Sequence, residues 1–289
     1  MKDTLTRFIF EDLPVRGLMV QLNETWKTLQ SRKDYPEVVR KILGEFAAAN
    51  ILLASSLKLQ GSMTMQIRGN GPISLLVMDC NHKHEIRGLA HSSEIETDGN
   101  LDTLFGSGQL VITIDNQNSA ERYQGIVELS GEQISQALEN YLEKSEQLAT
   151  KLVLAVNDDC AAGILIQKLP GEILHDEDDW SRIIQLTDTL QAEELLNLDS
   201  QQILHRLFNE DRIRLLGTDS CSFHCTCSKE RVSNMLVSLG KQEIDEIIKE
   251  QGGIEVNCEF CNQRYYYDKI DAETLFTDPV SRQTSKSKH

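Results

Sequence analysis

Branched and aromatic side chains recur on either side of a break at Pro14, which predicts strands over residues 4–10 and 15–22, with a helix opening after Asn23. Pro36 suits the first turn of a long helix. Its apolar positions Val38, Val39, Ile42, Leu43, Phe46, Ala47, Ile51, Leu52 and Leu53 wrap nearly all the way round, so this helix should be a buried central element. From Gly61 the period changes to two. Met63, Met65 and Ile67 alternate with polar neighbours, Gly69 to Pro72 makes a turn, and the run from Ile73 to Cys80 reads as a buried strand.

A meander should follow, with strands at 84–91, 109–115 and 122–128. Ser130 and Gln133 have the spacing of a capping box that opens a helix to about Leu148, with Ile134, Ala137, Leu138, Tyr141 and Leu142 on its buried face. Strands at 150–157 and 163–169 close the unit. Runs of strands interrupted by two long helices predict an α+β fold, a layered sheet-and-helix core domain over residues 1–174.

The pattern shifts at His175. Eight acidic residues and one basic residue lie between Asp176 and Asp199, interleaved with Trp180, Ile183, Ile184, Leu186, Leu190, Leu195, Leu196 and Leu198. Asp199 can cap a further helix carrying Ile203, Leu204, Leu207 and Phe208. Residues 175–220 therefore read as a linker of two or three short amphipathic helices. Helices this short are marginal alone and need a surface to lie on. A small domain over 221–277 follows, and Ser281 to His289 reads as part of a disordered tail, 278–289.

Composition narrows the function. A chain of 289 residues with 40% hydrophobic content can bury a sizeable core and is long enough for about two domains. Residues 1–17 carry scattered charges and no apolar run, and no later stretch approaches the ~20 apolar residues of a spanning helix, so no membrane role is expected. The expected compartment is the cytoplasm, where seven cysteines would be reduced, metal-bound or redox-sensing. A formal charge of -16 argues against nucleic acid as a partner, and even 221–270, with six basic and eight acidic side chains, has no cationic footprint. There is no phosphate-binding loop, acid and base pair or activated nucleophile, so the protein is expected not to be an enzyme.

The chemistry concentrates in Cys225-Thr226-Cys227 and, after thirty residues, Cys258-Glu259-Phe260-Cys261. Two spaced cysteine pairs supply the four thiolates of a tetrahedral structural zinc site, although the first pair has one intervening residue where two are usual. The residues alone leave several readings open. The four cysteines suit a constitutive zinc ribbon, structural or nucleic-acid-binding, and Cys258 with Cys261 suits a thiol oxidoreductase. Cys221 and His224 are alternative ligands. Cys80 and Cys160 read as small core residues, as do Met63 and Met65, and His82 and His84 as solvated turn residues. Trp180 and the leucines after it suit plain interdomain packing.

The strings GNGPISLLVMDCN, LFGSGQLVITID and YQGIVELSGEQISQALENYLEKSEQL, with FHCTCS and CEFCNQRYYYD near the end, resemble the 33 kDa chaperonin or heat shock protein 33 family. The resemblance covers nearly the whole chain. Ala149 and Ala162 stand where that family has proline and glycine, and Cys221 is additional. The resemblance implies a redox-regulated holdase chaperone of the stress response. It would bind unfolding client proteins independently of ATP, as a monomer when reduced and a homodimer when oxidised. One zinc ion would sit on Cys225, Cys227, Cys258 and Cys261 in the reduced form, and the same four cysteines would form disulfides in the oxidised form.

The chemistry agrees with that implication. Metal-held thiolates are the form that peroxide or hypochlorous acid attacks, and a Cys225–Cys227 disulfide would close a very small, easily reduced ring. Structural zinc contributes roughly 10 to 16 kcal/mol to a small domain, against about 5 to 15 kcal/mol for the stability of a whole domain. Loss of the metal should therefore unfold 221–277, undock the helices of 175–220 and expose apolar surface to clients.

Overall fold

The computed structural model describes residues 3–57, 60–95, 99–116, 122–129, 131–169 and 177–277. The chain divides between His224 and Cys225 into two compact units.

In the first unit, β1 (Thr4–Phe10) and β2 (Val15–Leu22) pair antiparallel, with Thr4 opposite Gln21. Helices α1 (Glu24–Gln30) and α2 (Glu37–Ser56) follow. β3 (Gly61–Arg68), β4 (Ile73–Asn81) and β5 (Glu85–Ser92) form the meander. After the short α3 (Leu101–Phe105), β6 (Gln109–Asn116) returns beside β3, and β7 (Arg122–Glu128) pairs with β6. Then come α4 (Ile134–Lys144), β8 (Thr150–Val156) and β9 (Ala161–Lys168). Three helices follow, α5 (Glu177–Asp188), α6 (Ala192–Asn197) and α7 (Ser200–Phe208), and then strands β10 (Ile213–Ser220) and β11 (Ser222–Phe223).

These strands make a five-stranded sheet in the order β10-β1-β2-β9-β8 and a six-stranded sheet in the order β11-β5-β4-β3-β6-β7. α2 packs on β2, β8 and β9 of the first sheet and on β3, β4 and β5 of the second. A helix with a sheet on either side has little solvent face to keep polar, which explains why its apolar positions run nearly all the way round, with exposed Glu37 and Lys41 near its start. Val39, Leu43, Phe46, Ala47, Ile51 and Leu52 are fully buried. Gly44 is required there, because a Cβ would lie 2.8 Å from Val156 and 3.2 Å from Trp26.

The expected α+β layering is therefore observed, with a further layer outside it. The outer face of the five-stranded sheet carries Phe8, Phe10, Val15, Met19, Ile164 and Ile166, and these bury against Ile183, Leu195, Leu196, Ile203, Leu204, Leu207 and Phe208 of the three helices. Asp199 caps α7 as its sequence suggested, accepting from the Gln202 amide at 2.8 Å while Gln202 reaches back to the Asp199 amide. Arg182 of α5 holds Asp211 through two hydrogen bonds of 2.9 and 2.6 Å, fixing the turn that leads into β10.

Three expectations need correction. Residues 213–220 are not helix but an edge strand, paired antiparallel with β1 from Phe10 opposite Ile213 to Thr4 opposite Ser220. The pairing partner lies some two hundred residues away, so no local periodicity reveals it. Cys221 does not join the C-terminal unit; it is 5% exposed within the main core of the first, and its amide donates to the Asp3 carbonyl at 3.2 Å. His84 is not solvated but half-buried, with left-handed backbone (φ 57°) and Nε2 3.3 Å from the Arg7 guanidinium. Burial, and then Arg7, push its pKa down. α4 begins at Ile134, and Gln133 at its N-cap makes no side-chain cap bond. Ser130, the expected domain boundary at 174/175 and the expected tail 278–289 lie outside the described residues.

The second unit contains α8 (Lys229–Leu239), α9 (Lys241–Gln251), the hairpin β12 (Ile254–Asn257) and β13 (Arg264–Tyr267), and α10 (Lys269–Thr277). Ser228 caps α8 by accepting from the Arg231 amide, and Gly252, at φ 77°, ends α9 in the left-handed region that favours glycine. Its core is small: Val232, Leu236, Ile244, Ile254, Tyr267 and Ala272. No helix among the described residues is long and apolar enough to cross a membrane.

Candidate metal centre

Four cysteines of the second unit meet at one point. Cys225 and Cys227 lie just ahead of α8, and Cys258 and Cys261 lie in the turn between β12 and β13. The turn is built as a knuckle. The Asn262 amide donates to the Cys258 carbonyl at 2.7 Å, the Cys258 amide donates to the Gln263 carbonyl at 2.9 Å, and Asn262 takes the left-handed conformation (φ 59°) that asparagine tolerates well. This folds the chain so that both sulfurs of the pair face the same side.

The Sγ atoms of Cys225 and Cys258 are 3.7 Å apart, those of Cys227 and Cys261 are 3.3 Å apart, and all four lie within 4.8 Å of one another. Sulfurs about 2.3 Å from a common zinc ion at tetrahedral angles would be about 3.8 Å apart, so the set fits a structural zinc site. The electrostatics fit as well. Burial, and then hydrogen bonding among the neighbouring thiols, push the Cys261 thiol up to about 12, against a lowering backbone bond at Gln263. At Cys227 burial opposes ionisation too, but hydrogen bonds from Tyr265 and the adjacent thiols outweigh it and bring the thiol down to about 7. Four sulfurs that cannot all ionise without a cation between them are a donor set suited to a divalent metal.

The Tyr265 hydroxyl donates to Cys227 Sγ at 3.1 Å. Sequence reasoning missed this contact, since the three tyrosines in succession on β13 signal only a strand. Its neighbour Tyr267, on the same strand face, donates to the Lys229 carbonyl at 3.0 Å and lies 3.0 Å from the Ser233 hydroxyl, which pins α8 to the hairpin.

The other sequence candidates lie elsewhere. Cys221 is in the first unit's core and His224 is exposed; neither belongs to the four-sulfur cluster. Cys80, on β4, and Cys160, in the turn just before β9, are buried small core residues, and burial raises both thiols, Cys160 to about 11. Met63 and Met65 are buried core residues of β3.

Comparison with known proteins agrees with the site. A family model described as Hsp33 protein matches residues 3–268. The 33 kDa chaperonin of Chromobacterium violaceum is 43% identical across 99% of this chain and 98% of its own. That of Nitrosococcus oceani is 41% identical across 100% and 99%, and that of Shewanella loihica is 42% identical across 99% of each. The crystal structure of the 33 kDa chaperonin (heat shock protein 33 homolog) of Thermotoga maritima shares the fold at a TM-score of 0.83 and 23% identity, covering 95% of this chain and 98% of that one. With its fold, its clustered cysteines and near-complete coverage by these relatives, the chain belongs to the Hsp33 family.

Proposed function

We propose that this protein is a redox-regulated holdase chaperone, which binds unfolding proteins under oxidative stress and keeps them from aggregating. Its relatives are named 33 kDa chaperonins, which supports a chaperone role. The observation that carries the redox reading is the meeting of four sulfurs within 4.8 Å in a unit whose own apolar core is small.

In the reduced protein Cys225, Cys227, Cys258 and Cys261 together hold one zinc ion. The bound ion supplies positive charge that keeps the four thiolates deprotonated, and a crosslink that a small core needs in order to stay folded. Oxidation joins Cys225 to Cys227 and Cys258 to Cys261. Each pair gives two electrons to a peroxide, whose O–O bond breaks and whose oxygens, on taking up two protons, leave as two waters from hydrogen peroxide or as one water and one alcohol from an organic peroxide. Both disulfides withdraw ligands, so the second unit loses its crosslink and melts.

The consequence for the first unit runs along the chain. Cys225 follows the two-residue strand β11, which pairs with β5 through Ser222 and Phe223 with one more backbone bond from the His224 amide to Ile86, and β11 continues from the edge strand β10. Freed at its C-terminal end, this segment lets the helices α5, α6 and α7 leave the outer sheet face. The face then presents Phe8, Phe10, Met19 and Ile164, and the helices present Leu195, Ile203 and Phe208; both surfaces suit the exposed apolar segments of unfolding proteins. The acidic charge keeps such a surface soluble. The protein works in the cytoplasm, carries out no catalysis, takes neither nucleic acid nor membrane as a partner, and passes from monomer to homodimer on oxidation.

The test follows aggregation of thermally unfolded citrate synthase with the reduced protein and with protein treated with peroxide at raised temperature, while released zinc is measured in parallel. Suppression should appear with the oxidised protein, in step with zinc release. Equal activity of the two forms would remove the switch.

A further inference from the structure

We propose that Tyr265 is a positioning residue that sets how readily the four-sulfur centre is oxidised, by holding the Cys227 sulfur through its hydroxyl. The proposal rests on the reading of the cysteines as metal ligands and deepens it.

The hydroxyl is placed by the strand rather than by chance. Tyr265 stands opposite Val256 in the β12–β13 ladder, with its ring partly buried against the small core of the unit. Two residues along, on the same face, the Tyr267 hydroxyl is fixed to the start of α8 at Lys229 and Ser233. Tyr266 points the other way and lies close over Gly253, where a Cβ would meet its hydroxyl at 2.3 Å. Alternation along β13 thus delivers one hydroxyl to the sulfurs, 3.1 Å from Cys227 Sγ, and keeps the next one away.

A hydroxyl that donates to a metal-held thiolate withdraws electron density from the lone pair that both grips the metal and attacks an oxidant. Partners in this outer layer commonly alter metal affinity or activity about 10- to 100-fold. Joining Cys225 to Cys227 requires the two thiolates to give two electrons to hydrogen peroxide, whose O–O bond breaks and whose oxygens leave as two waters after taking up two protons. With its lone pair engaged by Tyr265, the Cys227 sulfur is a poorer nucleophile for that step. The hydroxyl therefore raises the oxidant level at which the centre opens.

The test uses the full chain, with Tyr265→Phe, and with Tyr266→Phe as a control that removes a hydroxyl from the same strand without touching a sulfur. Cobalt(II) bound in place of zinc reports the sulfur directly. Loss of the hydrogen bond should move the sulfur-to-cobalt charge-transfer band of Tyr265→Phe to longer wavelength, with the control unchanged. In the zinc-loaded proteins, metal loss to a chromogenic chelator under hydrogen peroxide should run about 10-fold faster in Tyr265→Phe than in wild type or control. A band and a rate that match wild type, or equal shifts in both variants, would overturn the assignment. Wild-type protein that keeps its zinc under peroxide would instead sink the redox reading, while the cobalt band would still decide the role of Tyr265.

Discussion

The side-chain amide of Gln21, in the middle of the five-stranded sheet, donates to the carbonyl of Leu198 at 2.7 Å and to that of Leu195 at 2.9 Å. Those carbonyls belong to the last turn of α6, where helical backbone lacks partners of its own. One buried side chain on the sheet thus satisfies the end of a helix docked over it. Gln21→Leu should leave both carbonyls unpaired, at a cost of about 1 to 3 kcal/mol each. Hydrogen exchange of the reduced protein should then show faster opening across 177–208, with the strands of the six-stranded sheet unaffected; unchanged protection would remove Gln21 from the docking.

Phe208 packs edge-on against Phe10, with centroids 5.1 Å apart and rings at 72°, and is 2% exposed. Phe208→Ala should cost about 3 to 5 kcal/mol, enough to loosen a layer held by few such anchors. The reduced, metal-loaded variant should bind a hydrophobic dye and slow client aggregation without any oxidant. If it behaved as wild type in both assays, the outer sheet face would not be the surface that clients use.

Metal removal should melt the second unit and release the helices α5 to α7, while the two sheets of the first unit stay folded. With Val232, Leu236, Ile244, Ile254, Tyr267 and Ala272 as its core, the second unit has little apolar burial to set against chain entropy. A strong chelator in the presence of a reductant, or Cys258→Ser without it, should abolish exchange protection over 225–277 and leave 3–169 protected. A second unit that stayed protected after stripping would mean that the four sulfurs are not its crosslink.

Glu45, partly buried on α2, has its carboxyl raised from about 4.5 to about 7, first by burial, with Lys41 pulling the other way. It lines a cavity shared with Leu101, Glu132 and Ile134. The folded state therefore holds a proton between pH 4.5 and 7 that the unfolded state has released, so this group makes stability fall as pH rises through that window and leaves it level above. Glu45→Gln removes the dependence. Its stability relative to wild type should be about 2 to 3 kcal/mol more favourable at pH 8 than at pH 5, read from denaturant unfolding at the two values. Parallel shifts at both values would contradict this account.

Much of the architecture could be read from contiguous residues. The apolar positions that wrap nearly all the way round residues 37–56 marked a central buried helix, and that helix packs on both sheets. The alternation at Met63, Met65 and Ile67 gave the strand and its inward face, and Asp199 announced the cap of α7. The two cysteine spacings named the four residues whose sulfurs meet. Each of these signals is carried by neighbours a few positions apart, where backbone geometry alone determines which side chains share a face.

What remained hidden depended on partners distant along the chain. Ile213 to Ser220 lack a strong strand pattern and become a strand because β1 offers an unpaired edge. Cys221 looked like a spare ligand, yet the core took it. Tyr265 reaches Cys227 across 38 positions. The sequence by itself determined the period of each element and which four cysteines cluster, because those follow from local sterics and donor chemistry. Tertiary structure decided which edge is paired, which thiol is buried and which hydroxyl meets sulfur, because backbone hydrogen bonds and close packing choose among distant partners that no local spacing encodes.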